Sequence, residues 1–458
     1  MTTTDVQSAA AAVSADDALS IFAAAREAGN TPALHVGARC YRFADLARLT
    51  EQRLDVLARD ARPGAAYPLV GSNTLDTLVS LYALLELRVP ALLLHPRLTA
   101  TELAVEKAQA AQAAGTALPA DAAAILYTSG TTGRARGALL TRSALLASAR
   151  ASSDNLGWRA DDCWLLAMPV ARVGGLSIVT RCLAARRAVA LVPAFDAELL
   201  PQWLVQPRAT LISVVPTMLA MLLDAHPDWR PPAHLRAVLL GGAAASSNLL
   251  ARAAARRLPI VITYGCTETC SQVVATPYEM RFDAAACGAG RPLPTVQLRV
   301  EGGHVQVKGP MLMAGYLGEP PLGPDTWFDT GDLGALDAQG CLHLHARRAD
   351  LIVTGGENVY PAEIERVLEA CPGIHAAAVF GIADETWGHT VAAALVARPV
   401  PPSDESLIEY LGEKLAPHKQ PRRICFVPGL PHTAAGKLDR LALPALAPAL
   451  RPLRSRRS

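Results

Sequence analysis

The sequence lacks the usual marks of zinc-binding, secreted and nucleic-acid-binding proteins. Its nine cysteines form no CxxC pair and no Cys/His cluster at metal-ligand spacing, so we expect no zinc domain and a reducing compartment. The net charge is only +2, which gives no electrostatic reason to expect nucleic acid as a partner. Only the C-terminal RPLRSRRS is densely basic, and we interpret it as a solvated end.

Long apolar runs and a secretion signal are also lacking. The stretch LVSLYALLELRVPALLL is interrupted by charge and proline before it reaches the ~20 apolar residues that a membrane span requires. The first residues, MTTTDVQSAAAAVSADD, have no basic start and carry acids where a signal peptide needs an apolar run. We therefore expect no membrane span and a cytoplasmic location.

Hydrophobic residues are abundant, at 51% of 458 residues, and their pattern predicts an α/β fold. This length exceeds what one core usually supports, so we expect two or more domains. Short apolar runs alternate with helix-length segments, which is typical of mostly parallel sheets covered by helices. The expected strands include Ala124–Thr128, Cys163–Ala167, Val189–Val192, Ala209–Val214, Ala237–Leu240 and Ile260–Thr263.

The pattern of predicted helices and strands changes in the last third of the chain. From Val296, short strands and turns predict a β-rich subdomain. The last hundred or so residues mix helices with strands and predict a compact α+β module, which begins at the charged string RRAD. We therefore predict a large N-terminal domain over residues 1–346 and a small C-terminal domain over residues 347–458.

A glycine-rich segment directly after a predicted strand, YTSGTTGRARG, is the most informative local feature. Glycines let the backbone turn and aim its N–H groups at one point, and hydroxyls add donors, which suits phosphate oxygens. No GKS or GKT ends the segment, so it is not the Walker motif. The residues of this phosphate loop are Thr128, Ser129, Gly130, Thr131, Thr132 and Gly133.

Three further segments contain the groups that a nucleotide site needs. In TYGCTETC, Tyr264 can stack on a base, Thr267 can bond a phosphate, and Glu268 can hold Mg²⁺ against phosphate oxygens. In WFDTGDLG, Asp332 is suited to accept both hydroxyls of a ribose. In LPHTAAGKLDR, Lys437 is a mobile positive charge that can neutralise a developing negative phosphate.

Taken together and in this order, these segments resemble the acyl-activating, adenylate-forming superfamily of acyl-CoA ligases, adenylation domains and beetle luciferases. The resemblance covers about Thr31 to Leu441. For the acyl-CoA ligase type it implies three small-molecule partners, which are a carboxylic acid, ATP with Mg²⁺, and coenzyme A as co-substrate. It also implies that the small C-terminal domain is mobile. Whether the chain forms a homo-oligomer stays open.

The resemblance assigns roles to individual positions of this sequence. Thr128, Ser129, Gly130, Thr131, Thr132 and Gly133 fall on the phosphate loop, Gly241, Gly242 and Ala243 on the turn beside the adenine, and Gly355, Gly356 and Glu357 on the loop that lines the pantetheine tunnel. Tyr264 falls on the adenine-stacking position, and Asp332 and Arg347 fall on the ribose-binding positions. The catalytic positions are Lys437, Thr267, Glu268, which is also the metal ligand, and Arg136.

The sequence departs from the superfamily pattern at several of these positions. The phosphate loop usually ends G-x-P-K-G, and here Arg136 replaces the lysine, which keeps the charge but changes reach and donor geometry. We expect activity to be retained. Arg172 replaces the usual histidine or aromatic residue of P-x-x-H. Ala346 and Ala349 replace usual residues at the predicted hinge, which bears on the domain motion and not on the fold.

The segments TYGCTETCSQ, GAGRPLPTVQLRV and TGGENVYPAEIE are most similar to the o-succinylbenzoate–CoA ligase family of menaquinone biosynthesis. Such an acid carries a second carboxylate, so its pocket needs a cation or strong hydrogen-bond donors. Arg172 is the candidate, with Thr269, Ser271 and Gln272 as polar lining, although an arginine that faces a phosphate or the surface is an equal alternative.

Three other functions stay open. The chain could be another aryl- or medium-chain acyl-CoA ligase, a stand-alone adenylation enzyme that loads a carrier protein, or a nucleotide-binding protein without turnover. The presence of both Glu268 and Lys437 argues against the last of these.

Overall fold

A computed structural model describes residues 18–61, 64–98, 100–112, 118–128, 136–347, 350–354, 357–384, 388–415, 417–433 and 436–453. Its helices are α1 Ile21–Ala28, α2 Phe43–Asp60, α3 Leu75–Glu86, α4 Ala100–Gln112, α5 Arg142–Leu156, α6 Val173–Ala185, α7 Leu200–Val205, α8 Pro216–Ala225, α9 Ser247–Ala255, α10 Pro361–Glu369 and α11 Asp404–Lys414. None of the helices in these ranges has the length and apolar character to cross a bilayer.

The strands alternate with the helices through the first 275 residues and dominate thereafter. Up to that point they are β1 Pro32–Val36, β2 Arg39–Arg42, β3 Tyr67–Val70, β4 Ala91–Leu94, β5 Ala122–Thr128, β6 Arg136–Thr141, β7 Cys163–Leu166, β8 Ala188–Leu191, β9 Leu211–Val214, β10 Ala237–Leu240, β11 Ile260–Cys266 and β12 Ser271–Ala275. They continue as β13 Arg291–Pro292, β14 Gln297–Glu301, β15 His304–Lys308, β16 Gly315–Tyr316, β17 Phe328–Leu336, β18 Leu342–Arg347, β19 Ile352–Thr354, β20 Glu357–Val359, β21 Ile374–Asp384, β22 Gly388–Ala397, β23 Arg423–Phe426 and β24 Arg451–Pro452. The predicted α/β fold, with its β-rich later part, is confirmed.

Two sheets form the first part of the fold. The larger has nine strands in the order β13-β12-β11-β10-β9-β7-β8-β1-β2, and its central strands run parallel. The smaller has the order β16-β6-β5-β4-β3, with β3, β4 and β5 parallel and β6 and β16 antiparallel. The carboxyl ends of parallel strands share one edge of a sheet, and ligand sites of α/β folds form at that edge.

The core of this part is made by apolar strands and by one helix that is buried on every side. Helix α3 begins at the cap Thr74, whose hydroxyl accepts from the Thr77 backbone N–H, and ten of its twelve residues are buried. Trp164 in β7 is fully buried and its indole nitrogen donates to the Ser213 hydroxyl at 3.1 Å. Each such side chain contributes about 1.5–3 kcal/mol by leaving water, so this core provides a rigid base for the loops at the sheet edges.

The chain divides into two compact units. One comprises the chain up to Gly242 together with Arg256–Leu298 and Val307–Phe328, and the other comprises Ala243–Ala255, Arg299–Gln306 and the chain from Asp329 on. The second unit has its own hydrophobic core, which includes Ile364, Leu368, Val379, Leu395 and Ile424. The predicted domain boundary at residues 346–347 stays a prediction.

Candidate active site

The phosphate loop is carried by a hairpin of the smaller sheet. Strand β5 ends at Thr128 and β6 begins at Arg136, and these two residues face each other in the antiparallel register. The stems are buried, because Ala123 to Tyr127 and Ala138 to Leu140 belong to the apolar interior. The predicted loop residues Ser129, Gly130, Thr131, Thr132 and Gly133 lie outside the described residues. Thr128 and Arg136, the described residues that flank the loop, therefore lie at the paired ends of two strands. The first of these strands was predicted from the sequence, and the second was not.

The Tyr264–Glu268 segment connects a parallel strand to a tight turn. Tyr264 lies in β11, and residues Thr267–Thr269 form one turn of 3-10 helix. The Thr269 hydroxyl accepts from the Cys266 N–H at 2.9 Å and donates to the Ser271 carbonyl at 2.7 Å. Thr269 is fully buried, so its hydroxyl holds the shape of the turn that presents Glu268. A direct contact of Thr269 with an acid stays a prediction.

The turn continues through two residues with unusual backbone angles. Cys270 has φ of 51° and Ser271 has φ of 99°, both in the left-handed region that costs a non-glycine residue about 1–3 kcal/mol. Such strain is commonly found at functional sites. The Gln272 amide, which we predicted as pocket lining, donates to the Ser152 hydroxyl at 3.1 Å and is buried. Substrate contacts of Ser271 and Gln272 stay predictions.

The predicted adenine turn lies beside Tyr264. Strands β10 and β11 are parallel neighbours, and Gly241 and Gly242 follow β10 directly, at the level of Thr263 and Tyr264. A Cβ at Gly241 would lie 2.3 Å from the Thr263 hydroxyl oxygen. Only glycine permits this close approach of the two strand ends. Ala243 follows in the chain and is exposed.

The Glu268 carboxylate is fixed by a side chain that sequence reasoning missed. The Tyr316 hydroxyl donates to Glu268 Oε1 at 2.8 Å. Burial, followed by the nearby Glu268 carboxylate, raises the pKa of Tyr316, so the phenol keeps its proton and acts as the donor. Tyr316 belongs to β16, and no pattern within that two-residue strand indicates its partner.

Glu268 also fits the predicted role of a magnesium ligand. In the described ranges, no group of three or more His, Cys, Asp or Glu side chains could enclose a metal ion. Mg²⁺ is usually held by one or two carboxylates together with substrate phosphate oxygens and water, and not by a cage of protein ligands. A single carboxylate such as that of Glu268 therefore suffices as the protein's ligand for a nucleotide-bound Mg²⁺, and this role of Glu268 stays a prediction.

In the second unit, the two predicted ribose-binding positions come together. Asp332 in β17 and Arg347 in β18 are direct partners in the antiparallel register. The Asp332 N–H donates to the Thr330 hydroxyl at 3.2 Å, which fixes the backbone at this point. The pairing supports the prediction that both residues serve one ligand. Their contacts with a ribose stay a prediction.

Lys437 lies in a tight loop that a neighbouring arginine anchors. The Lys437 side chain is exposed, and its carbonyl accepts from the Thr433 N–H at 2.7 Å, which closes the loop. Three residues later, Arg440 donates to both Glu365 oxygens, at 2.9 and 2.8 Å, and its Nε lies 3.1 Å from Asp350. The loop of Lys437 is therefore tied to α10 and to the segment at residue 350.

The predicted pantetheine loop is only partly described. Gly355 and Gly356 lie outside the described residues, and Glu357 begins β20, where its backbone pairs with Thr354 of β19.

Arg172 lies at the start of α6 and is half-buried. Burial lowers its pKa, the Glu106 carboxylate acts in the opposite direction, and its Nε has no hydrogen-bond partner among the described residues. The pKa of His95 is lowered to about 4, by burial first and then by the Arg172 charge. The loop before Arg172 is held by the Asn73 amide, which donates to the Met168 carbonyl and accepts from the Val170 N–H.

A second buried arginine was not predicted. Arg181 in α6 is only 3% exposed, and burial lowers its pKa to about 10. Its guanidinium lies 3.5 Å from the Ser148 hydroxyl, which donates to the Cys270 carbonyl at 2.7 Å. Within the described part of the chain, no carboxylate pairs with Arg181 and its Nε has no partner. Ser148 thus links Arg181 to Cys270, which follows Glu268 by two residues. A buried cation with no counter-ion among the described residues is a candidate partner for an anionic group of a substrate.

Comparisons with known proteins show the family to which the chain belongs. Residues 104–317 match the family model described as AMP-binding enzyme, and residues 363–437 match the AMP-binding enzyme C-terminal domain. The chain belongs to the AMP-binding enzymes, which confirms the resemblance to the adenylate-forming superfamily.

Its relatives include particular acid–CoA ligases. A 2-succinylbenzoate–CoA ligase of Enterococcus faecalis is 41% identical over 337 residues, which cover 69% of this chain and 68% of the relative. An o-succinylbenzoate CoA synthetase from Bacillus subtilis, solved with its acyl-adenylate intermediate, has a TM-score of 0.83 at 30% identity and covers 92% of this chain and 97% of that one. The same enzyme with ATP and a magnesium ion has a TM-score of 0.81 at 30% identity, covering 93% and 98%.

Proposed function

We propose that the chain is an AMP-forming acid–CoA ligase of menaquinone biosynthesis and that its acid is o-succinylbenzoate. The proposal rests on the contact between Glu268 and Tyr316. The Tyr316 hydroxyl donates to the Glu268 carboxylate, and Tyr316 lies in the sheet whose strands β5 and β6 flank the phosphate loop. The 41% identity to a 2-succinylbenzoate–CoA ligase supports the choice of acid. We place the reaction in the cytoplasm, with ATP, Mg²⁺ and coenzyme A as the other small-molecule participants.

The reaction has two steps. A carboxylate oxygen of the acid attacks the α-phosphorus of ATP, the bond to the β-phosphate oxygen breaks, and pyrophosphate leaves. The thiol of coenzyme A then loses its proton and attacks the acyl carbon, and AMP leaves. Mg²⁺, when bound, neutralises the charge of the phosphates.

Residues of this chain bind and orient the reactants. The phosphate loop and Thr267 donate to phosphate oxygens, Glu268 holds the metal, and Tyr264 stacks on the adenine beside Gly241. Lys437 supplies a positive charge as the adenylate forms. The Tyr316 hydroxyl donates to Glu268 Oε1 and so orients the carboxylate for this role.

The second carboxylate of o-succinylbenzoate requires a cation in the acid pocket. Arg181 supports this requirement better than Arg172, because it is buried, unpaired with any described carboxylate, and linked through Ser148 to the carbonyl of Cys270. A carboxylate of the substrate would supply the negative charge that no described carboxylate supplies to Arg181. Arg172 is the alternative partner for the same group.

The experiment is pyrophosphate release measured with a panel of acids. The panel contains o-succinylbenzoate, 3-benzoylpropionate, which lacks only the ring carboxylate, and unrelated aryl and medium-chain acids. We expect the highest kcat/KM with o-succinylbenzoate and dependence on added Mg²⁺. A higher kcat/KM with an unrelated acid would reject the proposed substrate, and release without thioester formation from coenzyme A would favour an enzyme that loads a carrier protein.

A further inference from the structure

The segment that carries Tyr316 holds Glu268 at two points. The Met313 N–H donates to the Glu268 carbonyl at 2.8 Å, and the Tyr316 hydroxyl donates to Glu268 Oε1 at 2.8 Å. Between these points the segment forms β16, which pairs with β6 through Gly315 and Leu139. The backbone and the side chain of Glu268 are therefore both bound to the segment that contains β16. Through β16 the Glu268 turn is connected to β6, the strand that follows the phosphate loop.

The ring of Tyr316 is held in turn by Arg136. The Arg136 Cζ lies 3.4 Å from the centre of the Tyr316 ring, which is a close cation–π contact. The same guanidinium forms a two-point ion pair with Glu319, with Nε 3.0 Å from Oε1. Two hydrogen bonds in parallel fix the plane of a guanidinium, so the plane of the ring beneath it is fixed as well.

Only one oxygen of the carboxylate is used by this contact. Glu268 Oε1 accepts the hydrogen bond from the tyrosine hydroxyl, and this contact leaves Oε2 for another partner. A glutamate side chain has several rotatable bonds and loses up to about 2 kcal/mol of rotamer freedom when it is fixed. A carboxylate already oriented by a neighbour binds a cation without that loss.

We propose that Tyr316 is a positioning residue for the metal-binding Glu268, and that the Arg136–Glu319 pair orients Tyr316. This inference rests on the proposed function only in taking Glu268 as the ligand of the nucleotide-bound metal. In this arrangement Arg136 supports the metal site through Tyr316, in addition to or in place of the direct phosphate contact expected of the lysine that it replaces.

The test measures metal-dependent nucleotide binding and does not require turnover. Binding of ATP is titrated with Mn²⁺ in place of Mg²⁺, and free Mn²⁺ is followed by electron paramagnetic resonance; ATP binding in the presence of a chelator is measured in parallel. We expect Tyr316→Phe to weaken metal-dependent binding about 10-fold or more, as is typical when a partner of a metal ligand is removed. Metal-free binding of ATP is expected to stay within about twofold.

A matched control separates positioning from a general loss of structure. Tyr82→Phe also removes one tyrosine hydroxyl, from the buried core of α3, and is expected to leave both affinities unchanged. Glu319→Gln, which keeps the shape but weakens the ion pair, is expected to produce part of the Tyr316→Phe effect and to add little to it in the double variant, because both changes act on one carboxylate.

The outcomes are distinguishable. If the wild-type chain binds ATP with no effect of Mn²⁺, both the proposed function and this inference are overturned. If Mn²⁺ strengthens binding and Tyr316→Phe behaves like Tyr82→Phe, the inference alone is overturned. If Arg136→Lys weakens metal-free binding while Glu319→Gln has no effect on the metal-dependent part, Arg136 contacts the phosphates directly and its proposed role toward Tyr316 is wrong.

Discussion

At the scale of single residues, buried arginines distinguish this site from a generic nucleotide pocket. A guanidinium that is buried without a carboxylate costs folding free energy, and a protein usually retains such a group for a ligand or a specific contact. Among the residues that the structure describes, Arg181 meets this description, and Arg172 meets it in part because it is less buried. Their roles can be separated by substrate selectivity.

Arg181→Met and Arg172→Ala are expected to differ in their effect on the second carboxylate. Loss of the arginine that binds the second carboxylate should raise the KM for o-succinylbenzoate roughly 10- to 100-fold, because a hydrogen bond to a charged group is worth about 1.5–3 kcal/mol. The KM for 3-benzoylpropionate, which lacks this carboxylate, should stay nearly unchanged. We expect this of Arg181→Met, with a higher unfolding temperature, since an unpaired buried charge is removed. Equal effects on the two acids in both variants would reject selective recognition by either arginine.

Sequence reasoning predicted site residues that lie in contiguous motifs and missed the residues that contact them from elsewhere in the chain. Thr267 and Glu268 stand together in TYGCTETC, and their chemistry is evident from the residue types. Tyr316 is 48 positions from Glu268, and Arg181 reaches the same turn only through Ser148. Such contacts depend on which strands and helices become neighbours, and no local pattern encodes that choice.

At the scale of elements, helix α10 contains an acid with an unusual environment. Burial, and secondarily the nearby Glu365, raises the pKa of Glu369 from 4.5 to about 7. Between these two pH values the Glu369 carboxyl keeps its proton in the folded chain and loses it in the unfolded chain. Its contribution to the free energy of unfolding is therefore fully present below about pH 4.5 and is lost as the pH rises through about 7.

Glu369→Gln is expected to abolish this part of the pH dependence. The amide stays neutral, so the second unit should be more stable than the wild type at pH 8, by an amount on the order of 1–3 kcal/mol, and nearly unchanged at pH 4.5. Urea unfolding at both pH values measures the difference. Glu409→Gln, an exposed change on α11, is the control. An identical pH dependence in wild type and Glu369→Gln would contradict the assigned environment.

The alternation of strands and helices was predictable at this scale, and the edge strands were not. The strands expected at Cys163–Ala167, Ala237–Leu240 and Ile260–Thr263 are present, because fully buried parallel strands are continuous apolar runs. Strand β16 has two residues and forms only because β6 offers an unpaired edge. A two-residue strand is too short to show an alternating pattern in the sequence, so its pairing depends on the tertiary structure.

At the scale of the whole molecule, we expect the two half-reactions to depend on different parts of the C-terminal region. Lys437 and the loop at Gly355 and Gly356 stand about 80 positions apart in the sequence. The superfamily resemblance implies that rotation near residues 347–350 exchanges them at the reacting carbon.

The two variants Lys437→Ala and Gly356→Trp should therefore separate the steps. Lys437→Ala is expected to slow adenylate formation ~10²–10³-fold, because it removes a cation that stabilises the developing charge, and to spare thioester formation from supplied acyl-adenylate. Gly356→Trp should obstruct the thiol and leave pyrophosphate release intact. Single-turnover measurements of both steps decide the matter: if Lys437→Ala slows them equally, alternation of the C-terminal domain is the wrong mechanism here.

The sequence by itself determined the fold class and the family, and it predicted where the phosphate loop, the Glu268 turn and the lysine loop stand in the chain. These features rest on apolar periodicity and on donor groups that stand within a few residues of one another, and both are properties of a short stretch of chain. The tertiary structure alone decided that the Tyr316 hydroxyl donates to Glu268, that Arg136 pairs with Glu319 183 positions away, and that Arg181 is buried with no carboxylate paired to it in the described ranges. Each of these follows from sheet pairing and helix packing, which bring distant residues within hydrogen-bond range and remove water from around them.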